Sequence, residues 1–497
     1  MKHQRLRRKM TILAGILVVF TTIFCSQRNE KKTSPLVSFE NELISWPGIL
    51  IKGEPAPSLN LTERMSFYNI PGVSVAIFQN NRIVFSKGYG TTEKEGGVPV
   101  TPHTLFQAAS ISKPVAAAAV LRLVEKGKLS LDEDVNKRLV SWKIPENEHT
   151  INEKVTIRRI LSHSAGLTVH GFPGYSKGKP LPTVIEILNG EKPANTAPIR
   201  VDTTPGSIWR YSGGGYTVIQ HLLTDVLQQD FPSILKDLVL DPTEMKDSTY
   251  AQPLPDDLAF KAASAHFMNG KTIPGGWHNY PEMAAAGLWT TPEDLAQFAL
   301  TLIKAWRGES NPLFSADTAR QMLTVEKGAY GLGLSLKGEG IHFSFSHGGS
   351  NAGFKCTMIA FPEKGEGAVI MTNGDLGSYL MMEILTALST QLGWNEYRPT
   401  EKEPLAVETD VLESYTGTYR FNRVKTMTVT REENHLIANP IQFLPGKKGP
   451  CPFYPETESR FFSPAGNMTI SFTKDEENRV TGLKMTLNGR VSTAEKE

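Results

Sequence analysis

Residues 110–113, Ser110-Ile111-Ser112-Lys113, place a hydroxyl and an amine three positions apart, at the head of an alanine-rich run, Pro114-Val115-Ala116-Ala117-Ala118-Ala119. On a helix, residues i and i+3 share a face, so this serine oxygen and lysine nitrogen can touch. A serine beside a proton acceptor is an activated nucleophile, the first requirement of covalent acyl transfer. Proline is tolerated in a helix only within its first turn. Pro114 therefore predicts Ser110 at the N-terminal lip of a helix, where the helix dipole favours developing negative charge. The helix should run from Val115 to Lys126 and close at Gly127. A Ser-x-x-Lys alone is a frequent coincidence; Tyr211-Ser212-Gly213 and His347-Gly348-Gly349 downstream supply it with partners.

Around this stretch the chain divides by composition. Residues 72–78 (GVSVAIF) and 82–86 (RIVFS) are β-rich runs joined by Gln79-Asn80-Asn81, which predicts an antiparallel hairpin opening a catalytic domain. Thr290-Thr291-Pro292-Glu293-Asp294 predicts a capped helix start. Phe343 to Ser346, Phe354 to Phe361 and Gly367 to Thr372 predict successive strands. Residues 398–409 are charged and Pro-containing and are expected to form a linker. Short β-rich runs recur over 410–497, predicting a small all-β, barrel-like domain with Tyr415, Tyr419, Phe461 and Phe462 in its core. The catalytic domain is thus expected over 58–397, preceded by a tether over 26–57.

The chain has 497 residues, 40% of them apolar, enough for a large core and two domains. Its formal charge of +2 misleads, because residues 1–25 hold five Lys/Arg and no acid. The remainder carries 48 basic against 51 acidic residues, which leaves no basic stripe for nucleic acid. That basic start, followed by an apolar run from Ile12 to Phe24, predicts an export signal and a cell-envelope or periplasmic location. Cys25 stands where a lipoprotein would be cut and acylated, which would tether the protein to a membrane; Thr22-Ile23-Phe24 departs from the small residue wanted there. Cys356 and Cys451 read as two buried thiols, with pairing as the alternative.

Other chemistries find little support. The eleven histidines show no metal-ligand spacing, no Gly-x-Ser-x-Gly elbow occurs, and no Gly-rich phosphate loop carries a lysine. No metal or organic cofactor is expected.

The ordered motifs resemble the serine β-lactamase and penicillin-binding-protein family, in the branch of class C β-lactamases, D-Ala-D-Ala carboxypeptidases and related esterases. The resemblance runs from about Pro71 to Asn373. It rests on Gly72-Val73, Ser110-x-x-Lys113, Leu161-Ser162-His163-Ser164-Ala165-Gly166-Leu167, Pro205-Gly206-x-x-Trp209-x-Tyr211-Ser212, Gly287-Leu288-Trp289 and His347-Gly348-Gly349. It implies an α/β (α+β) fold, an antiparallel sheet flanked by helices, and it likens the β-rich tail to an accessory domain often fused to the family. It implies Ser110 as the acylated nucleophile, with Lys113 and Tyr211 as the proton-handling pair. The backbone N–H groups of Ser110 and Ser350 would form the oxyanion hole. His347, Gly348, Gly349, Ser212 and Gly213 would contact a small-molecule or peptide acyl substrate.

Two departures bear on specificity. The family's Tyr-x-Asn is Tyr211-Ser212-Gly213 here, and the lysine of its Lys-Thr-Gly is His347, a pH-dependent cation at best. An esterase or carboxypeptidase therefore fits better than a strict β-lactamase. A non-hydrolytic penicillin-binding or sensor protein of the same fold is the alternative. Tyr211 and His347 can also be read as packed side chains, and His163 as a turn cap.

Overall fold

The computed structural model describes residues 38–444 and 447–497. The export signal, Cys25 and the first part of the tether lie outside them. From Ser38 the chain is folded: Phe39 and Leu43 are fully buried, and the Phe39 ring meets Phe85 edge-on at 5.8 Å. Residues 38–57 therefore are not a loose tether. The reason is local, because a few apolar side chains in a Pro-containing stretch dock without any periodic pattern to announce them.

The elements that frame the site follow in chain order. β1 (Ile49–Ile51) and α1 (Leu61–Phe67) precede the hairpin of β2 (Gly72–Gln79) and β3 (Arg82–Gly90). The hairpin turns on Asn80 and Asn81, whose φ of 51° and 60° is what a two-residue type I′ turn demands. α2 (Ser112–Glu125) and α3 (Gly213–Leu227) carry the motifs. α4 (Pro292–Trp306) starts as predicted, with the Thr291 hydroxyl accepting the Asp294 N–H at 3.1 Å. β4 (Ser335–Lys337), β5 (Ser344–Asn351), β6 (Phe354–Phe361), β7 (Glu366–Thr372) and α5 (Gly377–Leu392) complete the body.

The strands form one antiparallel sheet in the order β3-β2-β7-β6-β5-β4. Alternation along each strand sends side chains to opposite faces. Ala76, Phe78, Met358 and Val369 join a core that includes α2, α3 and α4, whereas α5 packs on β6 and β7 from the other side. Glu383 of α5, completely buried, accepts from Arg64 Nε (2.8 Å) and Nη2 (2.6 Å), from the Tyr68 hydroxyl (2.6 Å) and from the Trp46 N–H (3.1 Å). A buried carboxylate paired this fully pins α5 to α1 and to the N-terminal segment.

The expected linker is also structured. β8 (Thr400–Lys402) pairs in parallel with β1, Ile49 opposite Thr400. Beyond it eight strands, from β9 (Gly417–Arg420) to β16 (Arg490–Lys496), pair in sequence order and close where Tyr419 meets Lys496. Tyr415, Tyr419 and Phe461 fill the barrel, as expected, but Phe462 points outward against Ile51. Residues 38–497 thus form one compact unit. Cys356 and Cys451 are both free and buried. Among the described residues no helix is long and apolar enough to cross a membrane.

Candidate active site

Ser110 sits in a tight turn, Ala109–Ile111, that leads directly into α2. Ala109 has φ of 48°, a left-handed conformation that costs an alanine roughly 1–2 kcal/mol. Its neighbours impose it. The Ala108 N–H donates to Leu288 O (2.8 Å), and the Cys356 thiol donates to Ala108 O (3.0 Å). The Ser112 hydroxyl donates to Ala109 O (2.6 Å) while accepting the Leu288 N–H (3.0 Å). Strain held by converging bonds immediately before a reactive side chain is a recurrent feature of functional sites. Ser110 is left half-buried at the edge of a cleft of about 800 Å³.

Lys113, one turn on, points back at it. Its ammonium nitrogen lies 3.1 Å from Ser110 Oγ and 2.7 Å from Ala285 O, over the ring of Tyr211 at 4.9 Å. Among the described residues no carboxylate pairs with it. Burial without a counter-charge disfavours the ammonium and pushes its pKa down to about 7. Burial pushes the Tyr211 pKa well above the ordinary value, an effect that the nearby Ser110 hydroxyl only partly offsets. At neutral pH the lysine is thus the group able to accept the serine proton, and the tyrosine is a neutral hydroxyl that can relay it.

The strand elements divide their labour by period two. His347 and Gly349 of β5 are buried, while Gly348 and Ser350 are exposed along the cleft opposite Ser110. A Cβ at Gly349 would fall 2.3 Å from both Ala108 O and Cys356 Sγ. Only glycine lets β5 lie against the serine turn. Ser350 and Ser110 line the same cleft, as an oxyanion hole between them requires.

His347 does not behave as the expected cation. Burial, then the charge of Lys113, hold its pKa down to about 3, so its imidazole is neutral at physiological pH. Its Nδ1 lies 2.7 Å from Gly348 O and must carry the proton there; Nε2 has no hydrogen-bond partner among the described residues. The alternation of β5 was the signal that could have placed this histidine inward.

Ser212 and Gly213 correct a second expectation, since neither lines the cleft. Ser212 is the N-cap of α3: its hydroxyl accepts the Gly215 N–H (3.0 Å) and donates to Thr168 O (2.8 Å). A Cβ at Gly213 would lie 3.0 Å from the Phe172 ring and from His170 O, tighter than side chains normally pack. Phe172 occupies the space that an asparagine at 213 would need. His163 packs instead of acting: its ring lies 4.2 Å from that of Tyr211 and its Nδ1 accepts the Ser212 N–H at 3.2 Å. His170, Phe172, Tyr330, Met381, Met382 and Tyr397 line the cleft without any motif to mark them in the sequence. No cluster of ligating side chains suited to a metal occurs among the described residues.

The chain is similar to known proteins over both of its parts. A model of the family described as Beta-lactamase matches residues 59–389, and one described as Domain of unknown function (DUF3471) matches residues 401–496. Protein flp of Staphylococcus aureus (strain MW2) is 24% identical over 339 residues, 65% of this chain and 63% of that protein, so the chain spans less than two thirds of this relative. Penicillin-binding protein 4 of Amycolatopsis lactamdurans is 24% identical over 367 residues, covering 68% of this chain and 93% of its own. Among solved structures, the octameric penicillin-binding protein homologue from Pyrococcus abyssi superposes with a TM-score of 0.60 at 22% identity, over 88% of this chain and 98% of that one. The beta-lactamase/D-alanine carboxypeptidase from Yersinia pestis gives 0.53 at 19% identity, over 67% and 97%. Both structural likenesses concern the fold.

Proposed function

The chain belongs to the beta-lactamase family, and on that premise we propose that it is a serine hydrolase that cleaves ester or amide carbonyls through an acyl-enzyme on Ser110. The observation that carries the reading is the Ser110 hydroxyl 3.1 Å from a buried Lys113 whose pKa has fallen to about 7.

In the acylation step the neutral Lys113 amine takes the Ser110 proton as Oγ attacks the substrate carbonyl. The carbonyl oxygen, now negative, is received by the backbone N–H groups of Ser110 and Ser350; each such donor is typically worth about 3 kcal/mol in the transition state. Collapse of the tetrahedral intermediate expels the leaving group, which takes its proton from Lys113 through the Tyr211 hydroxyl. A water molecule then attacks the acyl-serine, giving its proton to the same pair, and Ser110 is regenerated. Ala285 O accepts one N–H of the lysine, which holds its nitrogen beside Ser110 and leaves the lone pair free to turn toward Oγ when the nitrogen is neutral.

The test is hydrolysis of a chromogenic ester by the wild type and by Ser110→Ala, with intact-mass analysis after a fluorophosphonate. One adduct and turnover, both lost in Ser110→Ala, are expected. Full hydrolysis by Ser110→Ala would falsify the mechanism. A stable adduct with no turnover would move the protein to the non-hydrolytic sensor class.

A further inference from the structure

From the lining of the cleft we infer that the substrate is an uncharged acyl compound with an apolar acyl group, and that carboxylate-bearing substrates are excluded. This rests on the acyl-transfer reading above and names the substrate class of the same site.

No Lys, Arg, Asp or Glu is among the described residues that line the cleft. His347, at the position where the family's lysine would stand, is neutral and presents no cation. Lys355, opposite Ser350 on β6, is already engaged by Asp375 (3.0 Å) and Asn351 O (3.1 Å). A carboxylate seated in this cleft would give up water and find no Lys or Arg on the lining, only the imidazoles of His170 and His347, which is a net penalty. The site selects against such substrates by what it lacks.

What the cleft has instead is apolar surface on two sides. Ser378, Met381, Met382 and Leu385 of α5 recur at i, i+3, i+4 and i+7 and so present one helix face to the cleft, with Tyr397 beside them. Phe172 and Tyr330 face the cleft as well. The apolar lining continues outward: the Trp209 ring lies 5.2 Å from that of Tyr330 and is 40% exposed. Methionines adapt to acyl chains of differing shape, which suits a wall of this kind. The Arg64–Glu383 pair described above holds the same helix in place from its opposite face, so the wall is a fixed feature of the site.

The experiment compares p-nitrophenyl valerate with p-nitrophenyl hemiglutarate, esters of equal acyl length that differ by a terminal carboxylate, and adds a chromogenic cephalosporin. The neutral ester should exceed its anionic counterpart in kcat/KM by about tenfold or more, and the cephalosporin should not turn over. Ser378→Lys puts a cation on the exposed first turn of the wall and should narrow that ratio several-fold. Equal rates on the two esters, turnover of the cephalosporin, or a ratio unmoved by Ser378→Lys would each overturn the inference. Absence of Ser110-dependent turnover of both esters would overturn the acyl-transfer reading and this one with it, whereas equal Ser110-dependent turnover of both would overturn this one alone.

Discussion

Lys113 is the residue on which the chemistry and the cost of the site meet. Its folded pKa of about 7 lies below the ordinary value of 10.5 because the ammonium is desolvated and unpaired. Below pH 7 the amine is protonated and cannot accept the Ser110 proton, so kcat/KM for a neutral ester should rise about tenfold per pH unit and level off above 7. Stopped rates between pH 5 and 9 check this, and a flat profile would exclude Lys113 as the base. His347 cannot supply that limb, since its own pKa is near 3. Stability runs with the same sign: the unfolded chain binds the Lys113 proton more tightly, so its penalty is full below pH 7 and fades between 7 and 10.5. Lys113→Met should therefore lose acylation yet melt no lower than wild type at pH 6. The Ser110–Lys113 spacing was legible in the sequence because three residues of helix fix it. The neutrality of His347 was not, because it depends on what β5 is packed against.

At the scale of elements, the start of α3 decides how Tyr211 is held. Ser212 closes the helix N-terminus, and removing such a cap typically costs about 1 kcal/mol. Ser212→Ala should lower the melting temperature by a few degrees and reduce kcat through the adjacent Tyr211, with KM unchanged because Ser212 does not line the cleft. A KM rise with kcat preserved would restore Ser212 as a substrate contact. Elements that announce themselves through local chemistry were legible: Asn80-Asn81 for the hairpin, Thr291-Pro292 for α4, Pro114 for α2. Gly213 was not, since the sequence shows a missing asparagine but not the Phe172 ring that fills its place. The face of α5 that walls the cleft was also hidden, because an apolar stripe reads as core until the fold shows one part of it opening on a cavity.

For the whole molecule, the barrel is joined to the catalytic body by more than a linker. β1 and β8 pair across 351 positions of sequence, and Ile51 and Ile49 pack against Tyr454 and Phe462 of the barrel. The Tyr454 hydroxyl donates to Glu54 at 3.0 Å, and the Lys402 ammonium lies 4.4 Å from the Phe462 ring centre. Three-residue strands in charged, Pro-containing stretches have no periodicity, which is why both partners looked like flexible connections in the sequence. The same N-terminal segment buries Phe39 beside β3, so one stretch of chain grips both parts. Contacts shared in this way couple the stability of two cores. Calorimetry of the intact protein should therefore show one cooperative transition. Ile51→Ala, which leaves a cavity against Tyr454 and Phe462 in that junction, should cost about 2–4 kcal/mol and split the melt, the barrel and the body unfolding separately. Two transitions in the wild type, or a single unsplit transition in Ile51→Ala at unchanged temperature, would mean that the two parts are joined only by the covalent chain.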